Sequence, residues 1–125
     1  MFRVIIAGGR DFADFELLER TMDNLLANIL DDVQVVCGMA RGADSLGDVY
    51  AAKKKYSVRY FPADWDKYGK AAGYKRNEQM AQNADALVAF WDGKSRGTKH
   101  MIDIAKRYNL KVRVVRYGQE LMAKE

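Results

Sequence analysis

Three short stretches of this chain set glycine beside groups that attract anions: GGRDF at residues 8–12, GMARGAD at 38–44 and DGKSRGT at 92–98. Arg10, Arg41, Lys94 and Arg96 bring positive charge to them, and Ser95 and Thr98 bring hydroxyls. Glycine lets a ligand approach backbone that a Cβ would shield, and Gly97 is placed for this. If a stretch leads from a strand into a helix, the first N–H groups of that helix lack intrahelical acceptors and carry the positive end of its dipole. Phosphate is the group that such an arrangement binds. Each piece also has a plain structural use. Asp11 and Asp44 suit the first turn of a helix, Ser95 and Thr98 suit its cap, and a glycine lets a helix start pack close to a sheet. Neither GGR nor GMARG matches a dinucleotide G-x-G-x-x-G or a P-loop.

A fourth stretch, PADWDKYGKAAGYKRNEQM at residues 62–80, carries Trp65, Tyr68 and Tyr74 among glycines and lysines. Its aromatics either stack on a base or, for Trp65, plug the edge of a core, since indole suits both. Arg76 and Asn77 fall where a helix is expected to begin, within reach of the same ligand. The lone histidine, His100, has no Cys or second His near it, so no metal site is expected. Cys37, the single cysteine, sits in an apolar run and reads as a small core residue.

The elements that must position these groups follow from the apolar pattern. RVIIAGG, VQVVCG, VRYFP, ALVAFWDG and KVRVVRY read as strands. Residues 14–30 put Leu18, Met22, Leu25, Leu26 and Ile29 on one helical face, and residues 98–108 do the same with Met101, Ile104, Ala105 and Tyr108. Further helices are expected over about 43–54 and 75–83. Five strands alternating with four helices predict a Rossmann-like, doubly wound parallel α/β sheet. The third and fifth strands carry charges at near-alternate positions and are therefore edges, whereas VIIA, VVC and LVAF are continuously apolar. That gives the order 3-2-1-4-5 and puts the switch point between strands 1 and 4, beside the glycine-rich turns.

With 125 residues and 49% hydrophobic content, one domain over residues 1–125 is expected, with a core at about 2–116 and a short tail at 117–125. No apolar run approaches the ~20 residues of a membrane span, and MFRVIIAGG is too short for a secretory signal, so a cytoplasmic protein is expected. The net charge of +4 permits an anionic partner without requiring one.

GGRDF, GMARGAD and the block ADWDKYGKAAGYKRNEQMAQNADALVAFWDGKSRGTKHMIDIA together resemble the YspA-type, cpYpsA-related branch of the SLOG superfamily. Its relatives include the lysine-decarboxylase-like LOG proteins and the DNA-processing protein A family. The resemblance covers residues 2 to about 116 and implies a Rossmann-like fold that binds a nucleotide or a nucleotide-derived ligand. It implies that Gly8, Gly9 and Arg10 hold one side of that ligand and that Gly38, Arg41, Gly42 and Asp44 hold another. Gly93, Ser95, Gly97 and Thr98 would take a phosphate; Asp92, Trp65, Arg76 and Asn77, read from the residues themselves, complete the candidate site. Similarity to LOG proteins also implies a homodimer.

The chain departs from the LOG phosphoribohydrolases at one position. Their P-G-G-x-G-T-x-x-E motif ends in a glutamate tied to catalysis, and here GKSRGTKHM has Met101 in its place. Without that carboxylate the usual stabilisation of an oxocarbenium-like transition state is missing. Asp92, Asp44 and Glu78 are the carboxylates that could substitute for it. Three readings follow: a module that binds a nucleotide-derived molecule such as ADP-ribose or NAD, a nucleotide N-glycosidase or phosphohydrolase of altered mechanism, and a single-strand nucleic-acid binder using Trp65, Tyr68 and the lysines.

Overall fold

The computed structural model describes residues 1–118. Its elements run β1 (Phe2–Gly8), α1 (Phe15–Leu26), β2 (Val33–Cys37), α2 (Ala43–Lys54), β3 (Ser57–Tyr60), α3 (Trp65–Tyr68), a 3-10 turn (Gly69–Ala71), α4 (Ala72–Gln82), β4 (Ala86–Trp91), α5 (Arg96–Arg107) and β5 (Lys111–Arg116). The strands form one all-parallel sheet in the order β3-β2-β1-β4-β5, as the polarity of the runs predicts. β1, β2 and β4 are almost wholly buried, and β3 and β5 form the partly exposed edges.

Side chains alternate along the strands, so each strand feeds two cores. Val4, Ile6, Val35, Val88 and Phe90 pack against Leu18, Met22 and Leu26 of α1 and Tyr50 and Ala51 of α2. Ile5, Ala7, Val36, Leu87 and Ala89 pack on the other face against Met80 and Ala81 of α4 and Met101, Ile104 and Ala105 of α5. Each such Leu, Ile or Val contributes roughly 1.5–3 kcal/mol by leaving water. The helices thus cover both faces, which is the doubly wound arrangement.

Local chemistry changes two expected boundaries. α1 stops at Leu26 instead of running to residue 30, because the chain tightens into a turn in which the N–H of Ile29 donates to the carbonyl of Leu26 at 3.1 Å. Leu30 is left 99% exposed. The connection after β3 is mostly helical rather than a loop. Asp64 caps α3 by accepting from the N–H of Lys67 at 3.1 Å, Gly69 ends it at φ 55°, and α4 then starts at Ala72, three residues ahead of the expected position. At the C-terminus, Tyr117 packs edge-on to Phe12 and donates its hydroxyl to Asp11 Oδ1 at 2.6 Å. The expected tail beyond Gly118 lies outside the described residues.

Gly47 lets α2 lie directly on β1. A Cβ there would meet Cβ and Cγ2 of Ile6 at 2.9 Å, atoms too near the backbone to swing away. Helix propensity alone would make Gly47→Ala stabilising by up to ~1 kcal/mol. Overpacking against a buried strand costs ~1–3 kcal/mol and outweighs it. Urea unfolding of Gly47→Ala is therefore expected to show a lower midpoint than the wild type; a higher one would mean that α2 does not rest on Ile6.

Candidate functional site

A crevice of about 500 Å³ opens at the carboxyl ends of β1 and β4, the switch point of the sheet. Gly8, Gly9 and Arg10 line it from the end of β1, and Asp44 from the first turn of α2. Asp92, Ser95, Gly97 and Thr98 line it from the β4–α5 turn, and Trp65, Arg76 and Asn77 close it from α3 and α4. Gly38, Arg41, Gly42 and Gly93 are not among its walls, and Arg41 is exposed.

Three of the glycines bring the loops together. The carbonyl of Gly9 accepts from the N–H groups of both Phe12 and Ala43 at 3.2 Å, which ties the β1–α1 turn to the start of α2. Gly42, at φ 78°, is pressed against Arg10, whose backbone C and O a Cβ would meet at 2.7 Å. A Cβ on Gly38 would meet Asp44 Oδ2 at 2.8 Å and Arg76 Nη1 at 2.9 Å. The Arg76 guanidinium donates to the carbonyl of Gly38 and, through Nε, to Asn77 Oδ1 at 3.1 Å, so α4 is fastened to the β2–α2 loop.

The N-terminus of α2 therefore already has its anion. Asp44 is 5% exposed, and its Oδ2 accepts from the N–H of Ala40 at 3.4 Å. Burial pushes its carboxyl up to about 6, against the pull of Arg76 and the N–H groups of Ala40 and Gly38. The N-terminus of α5 is arranged differently. Asp92 Oδ1 accepts from the N–H groups of Lys94 and Ser95 at 2.8 Å, and these bonds hold its carboxyl below the usual carboxylate range. Ser95 Oγ accepts from the N–H of Thr98 at 3.5 Å and lies 3.1 Å from Thr98 Oγ1. The turn is thus braced, and the N–H groups of Arg96 and Gly97 have no acceptor among the described residues. A Cβ on Gly97 would meet nothing within 4 Å.

The opposite wall comes from α4. Asn77, 6% exposed, places its Nδ2 3.1 Å from His100 Nδ1 and 3.4 Å from the carbonyl of Gly97. Burial holds His100 below its ordinary value, which keeps the ring neutral so that Nδ1 accepts from the Asn77 amide. Tyr74 stacks on that ring at 4.2 Å. Trp65 is 56% exposed and edges the crevice, so it does not plug the core. The sequence pattern did not single out Lys70, Gly73 and Met80 as walls; Gly73 and Met80 join Asn77 on one face only once α4 is known to start at Ala72, and Lys70 comes from the 3-10 turn before it. Met101 also lines the crevice, 1% exposed, and gives it an apolar floor. No three His, Cys, Asp or Glu side chains cluster to hold a metal among the described residues, and no helix there is long and apolar enough to cross a membrane.

A parallel sheet in this order, covered by helices on both faces, defines a Rossmann-like domain. Residues 2–68 match the YspA, cpYpsA-related SLOG family (YAcAr), and the chain belongs to that family. It is similar to the gene 61 protein of Mycobacterium phage D29, at 34% identity over 118 residues, covering 90% of this chain and 94% of that one. Its fold is that of DNA processing protein A (DprA) from Streptococcus pneumoniae, with a TM-score of 0.68 at 13% identity over 90% of this chain. The chain spans about half of that protein, 49% of its length.

The raised Asp44 carboxyl has a measurable consequence. Its protonated form is favoured in the folded state, so between about 4 and about 6 the folded chain binds more protons than the unfolded one, and stability falls as pH rises through that window. Asp44→Asn removes the titration. The unfolding free energy of Asp44→Asn relative to wild type is expected to rise by on the order of 2 kcal/mol from pH 4 to pH 7. A difference that stays flat over this range would show that Asp44 is as well solvated as an ordinary aspartate.

Proposed function

We propose that this protein binds a nucleotide-derived ligand of the ADP-ribose or NAD kind, as a sensor or sequestering module. One observation carries the reading: the exposed first turn of α5, where Gly97 leaves open space and two N–H groups have no acceptor among the described residues, opens into the same crevice as Arg10 and the Trp65 indole. A phosphate at Arg96 and Gly97 would gain the dipole and N–H donors together. Arg10 supplies counter-charge, and Trp65 gives a ring or sugar a flat face.

A hydrolytic reading keeps one specific support. Asp44 reaches the crevice and has a carboxyl pushed up to about 6, the range in which an acid or base works near neutrality. Against it, Met101 supplies no carboxylate at the floor, and Asp92 is bound to two backbone N–H groups. The DNA-processing name of the structural neighbour supports a third reading, in which the bound nucleotide belongs to a single strand. That mode would weaken steeply with salt.

A thermal-shift screen against mononucleotides, NAD, ADP-ribose and short single strands, followed by chromatography of each mixture, separates the three. A stabilising ligand recovered intact supports binding, and one recovered as free base and sugar phosphate supports hydrolysis. Gly97→Ala tests the site itself. Its methyl group meets nothing in the protein, so the melting temperature without ligand should hold or rise slightly. Affinity for the stabilising ligand should fall about tenfold or more, because the methyl group occupies the approach to the N–H groups. Unchanged affinity would remove the start of α5 from the site.

A further inference from the structure

α4 divides two cavities. Gly73, Tyr74, Asn77 and Met80 face the crevice at the switch point, while Ala72, Lys75 and Gln79 face a second cavity of about 430 Å³. Arg76 lines both. The second cavity is completed by Pro62, Ala63 and Asp64 of the β3–α3 connection and by Lys67 and Tyr68 of α3.

Its charge is unbalanced. With Arg76 offset by Asp44, Lys67 and Lys75 stand against one carboxylate, and that one, Asp64, spends an oxygen on the N–H of Lys67 as the cap of α3. Neither lysine makes an ion pair among the described residues, although Lys53, Lys54 and Lys99 do. Both ammonium groups lie near the same ring, Lys67 Nζ at 5.1 Å and Lys75 Nζ at 5.9 Å from the centroid of Tyr68. Two cations drawn to one aromatic ring repel each other unless an anion sits between them. The pocket thus has the charge, the volume and the shared arginine of an anion subsite, and the capping chemistry of α3 fixes two of its walls.

We infer that the second cavity is a phosphate subsite, and that it takes the second phosphate of a nucleoside that carries two, the first being held at the start of α5. The pairing of the two phosphates rests on the function proposed above, whereas the anion subsite stands on its own residues. Arg76 lies at the junction and meets the ligand between its two charges. A ligand with a single phosphate fills only the crevice and leaves Lys67 and Lys75 unpaired.

Titration of the whole chain with inorganic phosphate, followed through backbone amide resonances, tests the subsite without assuming any base. Two separate groups of shifts are expected, one at Lys67, Tyr68 and Lys75 and one at Arg96 to Thr98. The double variant Lys67→Ala/Lys75→Ala should weaken phosphate at the first group at least about tenfold and leave the second within about twofold. Shifts at residues 96–98 alone overturn the subsite and leave the proposed function standing. Shifts at 67–75 alone support the subsite and count against the function. Shifts at 67–75 that survive in the double variant report ionic strength and overturn the subsite, and an absence of shifts at both places overturns both readings.

The pairing is read from adenosine 5′-monophosphate against adenosine 3′,5′-bisphosphate, where the bisphosphate is expected to bind about tenfold more tightly to wild type and equally to the double variant. Equal binding to wild type overturns the pairing. A 5′-phosphorylated dinucleotide in the same assay tells a phosphate monoester from the next phosphodiester of a strand.

Discussion

The site depends on how closely the start of α2 approaches the end of β1. That approach is possible because Gly8, Gly42 and Gly47 have no side chains where the two elements meet, and it is held by the Gly9 carbonyl accepting from Phe12 and Ala43. A carbonyl that accepts twice fixes both loops relative to the sheet, and the Phe12 ring, stacked on Phe90 at 4.8 Å, carries the constraint into the core. The same closeness closes the first turn of α2 to an outside anion. Asp44 folds back over residues 38–40 and fills the space, whereas the first turn of α5 stays open at Gly97.

This division explains the opposite environments of the two carboxylates. Asp92 lies near the surface and accepts two short backbone bonds, so its charge is well satisfied. Asp44 is deeply buried, its bonds are longer, and its neighbour Arg76 is already engaged with the carbonyl of Gly38. Desolvation wins at Asp44 and hydrogen bonding wins at Asp92. Arg76 is the hinge of this arrangement, since one guanidinium fastens α4 to the β2–α2 loop, offsets the buried carboxylate and lines both cavities.

The fold was legible in the sequence because parallel strands covered on both faces must be continuously apolar, and edge strands need not be. VIIA and LVAF could only be central, and the charges in SVRYF and KVRVVR placed those strands outside. The turns at the crevice were legible as glycine-rich and basic, but which glycines serve packing and which serve a ligand was not. Gly42 and Gly97 look alike in sequence; one is pressed against Arg10 and the other faces open space, a difference set by tertiary contact alone. Arg41 looked like a ligand group for the same reason and is exposed, away from the crevice walls. Residues 62–74 read as a connection because Gly69 and Gly73 interrupt the helical pattern on either side of the start of α4. The faces of α4, and with them Gly73 and Met80, could not be assigned before its first residue was known.

An anion entering the crevice acts on Asp44 in a definite direction. A phosphate is a like charge, and within a few ångströms it favours the protonated carboxyl, as burial already does. Under the proposed binding Asp44 would be driven toward the neutral acid, in which state its hydroxyl becomes a donor and no longer competes with the phosphate for Arg76. The ionised form, by contrast, would pull the guanidinium away from the ligand. If the ligand proposed above binds there, the buried carboxylate on the crevice wall gives way to the incoming anion by taking up a proton, so ligand affinity and the protonation of Asp44 are linked.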